Sequence, residues 1–261
     1  MKGFAFQTDL PERIFTVMKQ GFFEITENLP LTDTVYRMVL SGDTSAITSC
    51  GQFVNIKLDG LYLRRPISVN DCEDGRLTII YKVVGNGTEQ MSRMQSGKLD
   101  LLTGLGNGYD TSLSGNAPLL LGGGVGVPPL YMLAKKLKAE GKSVTAILGF
   151  NTKSEVFGEK EFSQVADKVI VTTADGSYGV KGFVTDAMND LDYSYFYTCG
   201  PEPMLKAVYS ASNSEGQFSF EERMGCGFGA CMGCSCKTVT GYKRICKDGP
   251  VMKKEEILWE K

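Results

Sequence analysis

The sequence predicts a β-barrel plus α/β fold: an antiparallel barrel, a doubly wound parallel-sheet domain and a small cysteine-rich C-terminal domain. Three observations lead there. Residues 1–113 form short alternating stretches broken by turn residues, and from residue 117 strands alternate with helices. In addition, five of the eight cysteines crowd between Cys226 and Cys246.

In the first segment the alternating stretches fall at residues 15–26, 34–40, 52–58 and 77–84. Ser41-Gly42-Asp43, Asp59-Gly60 and Glu73-Asp74-Gly75 separate them. Strands at that spacing close most readily into an antiparallel barrel or sandwich. Residues 83–96 break the alternation, and Gly87-Thr88 opens a short helix over residues 89–94.

The second segment, residues 114–215, has no Arg, and its nine cations are all Lys. A buried strand at 118–121 leads through a glycine-rich turn into a helix at 129–139, ended by Gly141. The spacing then predicts a strand at 144–150, a helix at 159–166, a strand at 168–173, a helix at 184–191, a strand at 193–199 and a helix at 203–212. Short connections between alternating strands and helices imply a parallel sheet covered on both faces. Residues 216–261 form the third segment.

Composition excludes several functions. The chain has 261 residues, a formal charge of −2, one Trp and no His. Without His there is no Ser/His/Asp or Cys/His nucleophilic machinery and no imidazole acid/base chemistry. The near-neutral charge and single Trp259 argue against nucleic-acid binding. Charges at Lys2, Asp9 and Glu12 leave no secretory apolar region. The longest uncharged stretch, residues 111–134, is interrupted by three prolines and five glycines, so no membrane span is expected. Clustered cysteines in such a chain point to a metal site in the cytoplasm rather than to disulfides.

Four motifs remain. Gly122, Gly123, Gly124 and Gly126 lie between the first strand and first helix of the parallel sheet, where backbone N–H groups can approach a pyrophosphate. A glycine run alone is often only a tight turn, and the strand-to-helix context is what favours the ligand. Cys199-Gly200-Pro201 ends the last strand of that alternation, at the sheet edge where ligands of doubly wound folds sit, although taken alone it reads better as a helix entry with Pro203 in the first turn. Arg64-Arg65-Pro66-Ile67-Ser68 lies in the barrel segment, where Arg65 could meet a phosphate or form part of a solvated face.

The fourth motif is the most specific: Cys226, Cys231 and Cys234 in CxxxxCxxC spacing, followed by Cys246. This is plant-type [2Fe-2S] spacing, and the interleaved glycines let a short loop wrap a cluster. Structural zinc is the competing reading, disfavoured because zinc ribbons pair two CxxC units. Cys236 competes for the fourth position, but it lies so near Cys234 that reaching the opposite iron would need a sharp reversal, so Cys246 is preferred.

Together, Arg65-Pro66-Ile67-Ser68, Gly87-Thr88, the glycine turn and Cys199-Gly200-Pro201 resemble the ferredoxin-NADP reductase superfamily. The tail from Glu222 to Cys234, with Cys246-Lys247-Asp248-Gly249-Pro250, resembles the electron-transfer subunits of B-type dihydroorotate dehydrogenases. The resemblance implies three domains: a FAD-binding barrel (1–113), an NAD-binding α/β domain (114–215) and a [2Fe-2S] domain (216–261). It implies that Arg65, Pro66, Ile67 and Ser68 hold the flavin, that Ile80, Tyr81 and Lys82 line it through backbone groups, and that Gly87 and Thr88 bind its pyrophosphate. It also implies a separate FMN-containing dihydroorotate dehydrogenase catalytic subunit, in a heterotetramer of two of each, serving pyrimidine biosynthesis. NAD would dock on the glycine turn with its nicotinamide near Cys199 and Gly200.

NAD is expected rather than NADP, because the middle segment lacks Arg and Asp175 follows the third strand, where a carboxylate would accept from ribose hydroxyls and repel a 2′-phosphate. Lys153 is the cation that opposes this reading. No residue is assigned as a catalytic acid or base, since the cofactors supply the chemistry. The nearest alternatives are the small subunit of a sulfide dehydrogenase, a bifurcating ferredoxin-NADP reductase, and a zinc-stabilised binding module.

Overall fold

The computed structural model describes residues 18–259; the charged N-terminal segment and residues 15–17 of the first expected strand lie outside them. The barrel comprises β1 (Lys19–Pro30), β2 (Val35–Ser41), β3 (Phe53–Lys57), β4 (Arg65–Glu73), β5 (Arg76–Lys82) and, after helix α1 (Asn86–Ser92), β6 (Lys98–Leu105). It closes in the order β1-β2-β5-β4-β3-β6 with antiparallel neighbours throughout. Alternation does the sorting. In β5, Leu77, Ile79 and Tyr81 point inward with Phe23, Met38 and Val54, while Ile80 and Lys82 face out. Asp74 and Gly75 both take positive φ (45° and 79°), the conformation a two-residue hairpin needs between β4 and β5.

The sequence pattern leaves β6 unmarked. Its run Leu101 to Leu105 is buried without alternation, because Leu102 and Leu105 turn outward beneath the C-terminal domain. A strand covered on both faces loses the period-two signal.

The α/β domain runs β7 (Pro118–Gly123), α2 (Pro129–Ala139), β8 (Thr145–Phe150), α3 (Glu159–Val165), β9 (Lys168–Thr173), β10 (Val180–Lys181), α4 (Val184–Met188), β11 (Tyr195–Cys199), α5 (Glu202–Ala211) and β12 (Gly216–Ser219). The hairpin β13 (Ser235–Thr238) and β14 (Gly241–Arg244) follows, then β15 (Val251–Lys253). The large sheet has the order β10-β9-β8-β7-β11-β12-β15, parallel except for β15. Strand order reverses between β7 and β11, so their C-terminal ends open a crevice. Leu120 packs with α2 on one face, and Leu119 and Leu121 with α4 and α5 on the other.

β12 and β15 fall inside residues 216–261 yet extend the sheet of the middle domain, so the third segment is stitched to the second by two strands. It is also seated on the barrel. Phe53, Leu102 and Leu105 bury one cluster with Cys234, Ile245, Cys246 and Met252. Each such side chain contributes about 1.5–3 kcal/mol by leaving water, which fixes the cysteine loop to the barrel wall.

Candidate functional site

The crevice at the strand reversal is a cavity of about 590 Å3. Gly123, Gly124, Val125 and Gly126 form one wall, and Gly200, Pro201 and Met204 another. Two of these glycines are obligatory. Gly124 has φ +53°, and a Cβ on Gly126 would collide with the carbonyl group of Cys199. The turn therefore packs closely on the β11 end and, Val125 apart, presents only glycine backbone to the cavity before α2 begins, an arrangement suited to a pyrophosphate.

The cavity runs from Lys82 of the barrel and Glu221 at one end to Asn151, Glu155 and Phe183 at the other. Glu221, which pattern reasoning missed, opens to the cavity, and the protein around it raises its carboxyl pKa. Gly200 lines the space, but Cys199 is buried behind Gly126 and offers only its backbone; burial pushes its thiol far up.

At the far end the structure separates two carboxylates. Asp175 accepts from the N–H and hydroxyl of Ser177 (2.9 and 2.6 Å), which lowers its pKa, and its side chain is not part of the cavity wall. Glu155 is part of that wall, with Oε2 accepting from the N–H and Nδ2 of Asn151 (3.1 and 2.9 Å). The Lys153 ammonium is turned 5.8 Å above the Tyr178 ring.

The barrel motif divides in the same way. Arg64 is structural. It binds both carboxylate oxygens of Asp100 (3.0 Å each) and the carbonyls of Asp100 and Asn55. Arg65 has no carboxylate partner among the described residues, donates to the Leu63 carbonyl, and lies against Gly87, where a Cβ would strike its guanidinium. A cation without a counter-ion beside a glycine at a helix start suits a phosphate. The Thr88 hydroxyl is already spent on the turn, accepting from Val84 and Gly85 N–H and donating to the Gly85 carbonyl. On β4, Pro66 and Ser68 sit opposite Asn55 and Phe53 of β3, on the outer face, whereas Ile67 packs toward the barrel interior. Of residues 80–82, Ile80 and Lys82 face outward, and Tyr81 points inward with its hydroxyl on Asn28 (3.0 Å).

The cysteine loop lies against that outer face. Cys226 N–H points at Cys231 Sγ (3.4 Å), and Ala230 and Cys231 N–H point at Cys226 Sγ (3.2 and 3.4 Å). Burial opposes ionisation of Cys226, but N–H groups from Phe228, Cys231 and Ala230 outweigh it and hold the thiol near 6. Cys246 N–H points at Cys234 Sγ (3.4 Å), and burial with that neighbouring sulfur pushes the Cys246 thiol up to about 12. Among the described residues no three ligating side chains converge on one ion position. Cys226 with Cys231 and Cys234 with Cys246 thus stand as two thiol pairs, a donor set that would suit a two-iron cluster. Cys236 lines a pocket of about 290 Å3 with Phe220, Met252 and Trp259, on the edge of the buried cluster that contains Cys234 and Cys246. Phe228 and Met232 are exposed on the loop, whereas Met224 packs inward.

A flavin-reductase barrel, a nucleotide-binding α/β domain and a plant-type cysteine loop define a ferredoxin reductase-like oxidoreductase with its own iron–sulfur domain. A family model for the iron-sulfur cluster binding domain of dihydroorotate dehydrogenase B matches residues 221–258, and an oxidoreductase NAD-binding domain matches residues 120–210. The dihydroorotate dehydrogenase B (NAD+) electron transfer subunit of Bacillus pumilus is 43% identical across 92% of this chain and 98% of its own length. That of Fusobacterium nucleatum is 45% identical across 87% and 94%. The chain belongs to the family of dihydroorotate dehydrogenase B electron transfer subunits.

Among solved structures, a chain described as an NADH-dependent reduced ferredoxin-NADP oxidoreductase superposes with TM-score 0.83 at 31% identity, covering 91% of this chain and 90% of that one. A Neisseria gonorrhoeae ferredoxin NADP+ reductase with bound FAD and NADP shares the fold over 74% of this chain and 90% of its own, with TM-score 0.66 at 17% identity.

Proposed function

We propose that this chain relays electrons between a partner's FMN, reduced by dihydroorotate, and NAD through a [2Fe-2S] cluster and FAD. Cys226, Cys231, Cys234 and Cys246 would hold the cluster. Arg65, Pro66, Ser68 and Gly87 would hold FAD on the outer barrel face, and Gly122 to Gly126 with Gly200 would seat NAD. When bound, the flavin supplies the exchange between hydride pairs and single electrons, and the cluster supplies one-electron passage.

The chain's own residues orient and shield. Gly126, packed on Cys199, brings backbone to the dinucleotide. Arg65 neutralises a phosphate. Phe53, Leu102 and Ile245 exclude water behind the cysteine pairs. The observation that carries this reading is the placing of Cys226 and its loop against β3, the strand paired to Pro66 and Ser68. A relay needs its two centres side by side, and here one wall serves both.

The partner is an FMN-bearing catalytic subunit in a complex of two of each. Exposed Phe228, Met232 and Tyr242 around the loop support a docking face. Among the described residues no helix is long and apolar enough to cross a membrane, and the site of action is the cytoplasm. The test is the purified chain: FAD and two irons per chain, with an absorption spectrum of flavin plus [2Fe-2S], are expected. A colourless zinc protein would refute the assignment.

A further inference from the structure

The two thiol pairs lie on different stretches of chain. Cys226 and Cys231 sit on the first part of the cysteine loop, which Asn55 Nδ2 holds to the barrel through the Cys226 carbonyl (3.2 Å). Cys234 and Cys246 flank the β13–β14 hairpin and are joined through backbone, Ile245 N–H donating to the Cys234 carbonyl (3.1 Å) and Cys246 N–H pointing at Cys234 Sγ. A cluster shared by both pairs needs the first held against the second as well.

Arg244, two residues before Cys246, makes that crossing. Its Nη1 donates to the carbonyl of Gly229, between Cys226 and Cys231, at 2.8 Å. Its Nε binds Asp248 Oδ2 (3.0 Å), and the same oxygen accepts from the Arg244 backbone N–H (2.9 Å), so the guanidinium is fixed at its base. Gly229 has φ +91°, and a Cβ there would strike the Lys247 stem, so the distal loop closes on this residue from two sides.

The far end of that peptide unit reaches a ligand. The Gly229 carbonyl and the Ala230 N–H share one amide plane, and the N–H points at Cys226 Sγ from 3.2 Å. A cation on the oxygen polarises the amide and strengthens what its N–H donates. Donation to a ligand sulfur favours the electron-rich, reduced state of an iron–sulfur centre.

We propose that Arg244 is a positioning residue for the cluster, holding the first thiol pair to the second and, through the Gly229–Ala230 peptide, setting the hydrogen bond on Cys226 Sγ and with it the reduction potential. The proposal rests on the [2Fe-2S] reading of the cysteines and adds a tuning group to it. Arg244 exchanges no electrons or protons itself.

The experiment uses the full chain with its cofactors and the variants Arg244→Met and Arg244→Lys. Met keeps an apolar stem without charge or donors; Lys keeps the charge but lacks the planar fork that serves Asp248 and Gly229 together. Iron, sulfide and FAD contents are measured, with the cluster midpoint by EPR-monitored titration and exchangeable protons near the reduced cluster by ENDOR. Arg244→Met should lower the midpoint by about 59 mV, a tenfold change in the one-electron equilibrium, and weaken the coupling of one exchangeable proton. Arg244→Lys should lower it too, by less. Wild-type potential and proton coupling in Arg244→Met would overturn the proposal, and so would a wild-type potential in Arg244→Lys, which would leave a charge effect alone. Should Arg244→Met lose its cluster, Arg244→Lys decides. Loss of iron from both variants with FAD content and denaturant midpoint unchanged upholds the holding role, whereas loss of iron, FAD and stability together would overturn it. An unmodified chain that takes up no iron would defeat the cluster reading instead.

Discussion

The backbone N–H of Cys246 points at the sulfur of Cys234 from 3.4 Å, closing a 12-residue loop so that a distal cysteine returns to the CxxxxCxxC motif. Cys236, two residues after Cys234, faces a different pocket. Replacing Cys246 or Cys231 with Ser should therefore abolish the cluster, and Cys236→Ser should keep it. Iron and sulfide analysis checks this: full content in Cys246→Ser would reassign the fourth ligand.

Gly126 touches the carbonyl group of Cys199 so closely that Gly126→Val must part the glycine turn from β11. Flavin reduction by NADH should fall about 100-fold, the usual cost of a misplaced reactant, while FAD content stays normal. Wild-type single-turnover rates in Gly126→Val would place the nucleotide elsewhere.

Nucleotide choice should favour NADH strongly over NADPH. Glu155 lines the far end of the cavity and Asp175 is engaged with Ser177, so Glu155→Gln should narrow the preference more than Asp175→Ala. Stopped-flow flavin reduction with both nucleotides decides; equal rates in the unmodified protein would contradict the electrostatic argument.

Much of the architecture was legible in the sequence, and the failures gather around the C-terminal tail. Helix α2 occupies Pro129–Ala139 and β9 Lys168–Thr173, both as the spacing predicts: β9 buries one run in the parallel sheet, and α2 keeps its helical stripe although Lys135 also ties it to Asp71 of the barrel. The elements that sequence pattern places poorly are strands that the C-terminal tail covers or extends. β6 loses its alternation beneath the tail, and β12 belongs by pairing to the sheet before it. The site shows the same divide. Residue types announced the cysteine ligands and the glycine turn, whereas the burial of Cys199, the outward turn of Asp175 and the contact from Asn55 to Cys226 depend on folding distant segments together.

The tail should be acid-sensitive through Glu256. Burial alone would raise its pKa, but the Lys243 ammonium and the Lys253 N–H lower it on balance. A folded pKa below the unfolded one means stability that is present above the ordinary carboxyl value of about 4.3 and is lost as pH falls through the folded value. For this partly exposed pair, Glu256→Gln should cost about 1 kcal/mol or less at pH 7, with the difference shrinking at an acid pH below the ordinary carboxyl value. Denaturant midpoints at both pH values measure it, and an undiminished difference at the acid value would assign the effect to packing.

The central claim is that this chain is a relay and not a complete dehydrogenase. In the proposed relay the cavity takes the nucleotide end of the reaction, the cysteine loop with exposed Phe228 and Met232 meets the partner, and dihydroorotate is oxidised on that other subunit. The direct measurement is NAD reduction by dihydroorotate, assayed with this chain alone and again with the FMN-bearing subunit added. The account predicts no turnover from the chain alone and activity on mixing that neither component shows; substantial turnover by the isolated chain would contradict it.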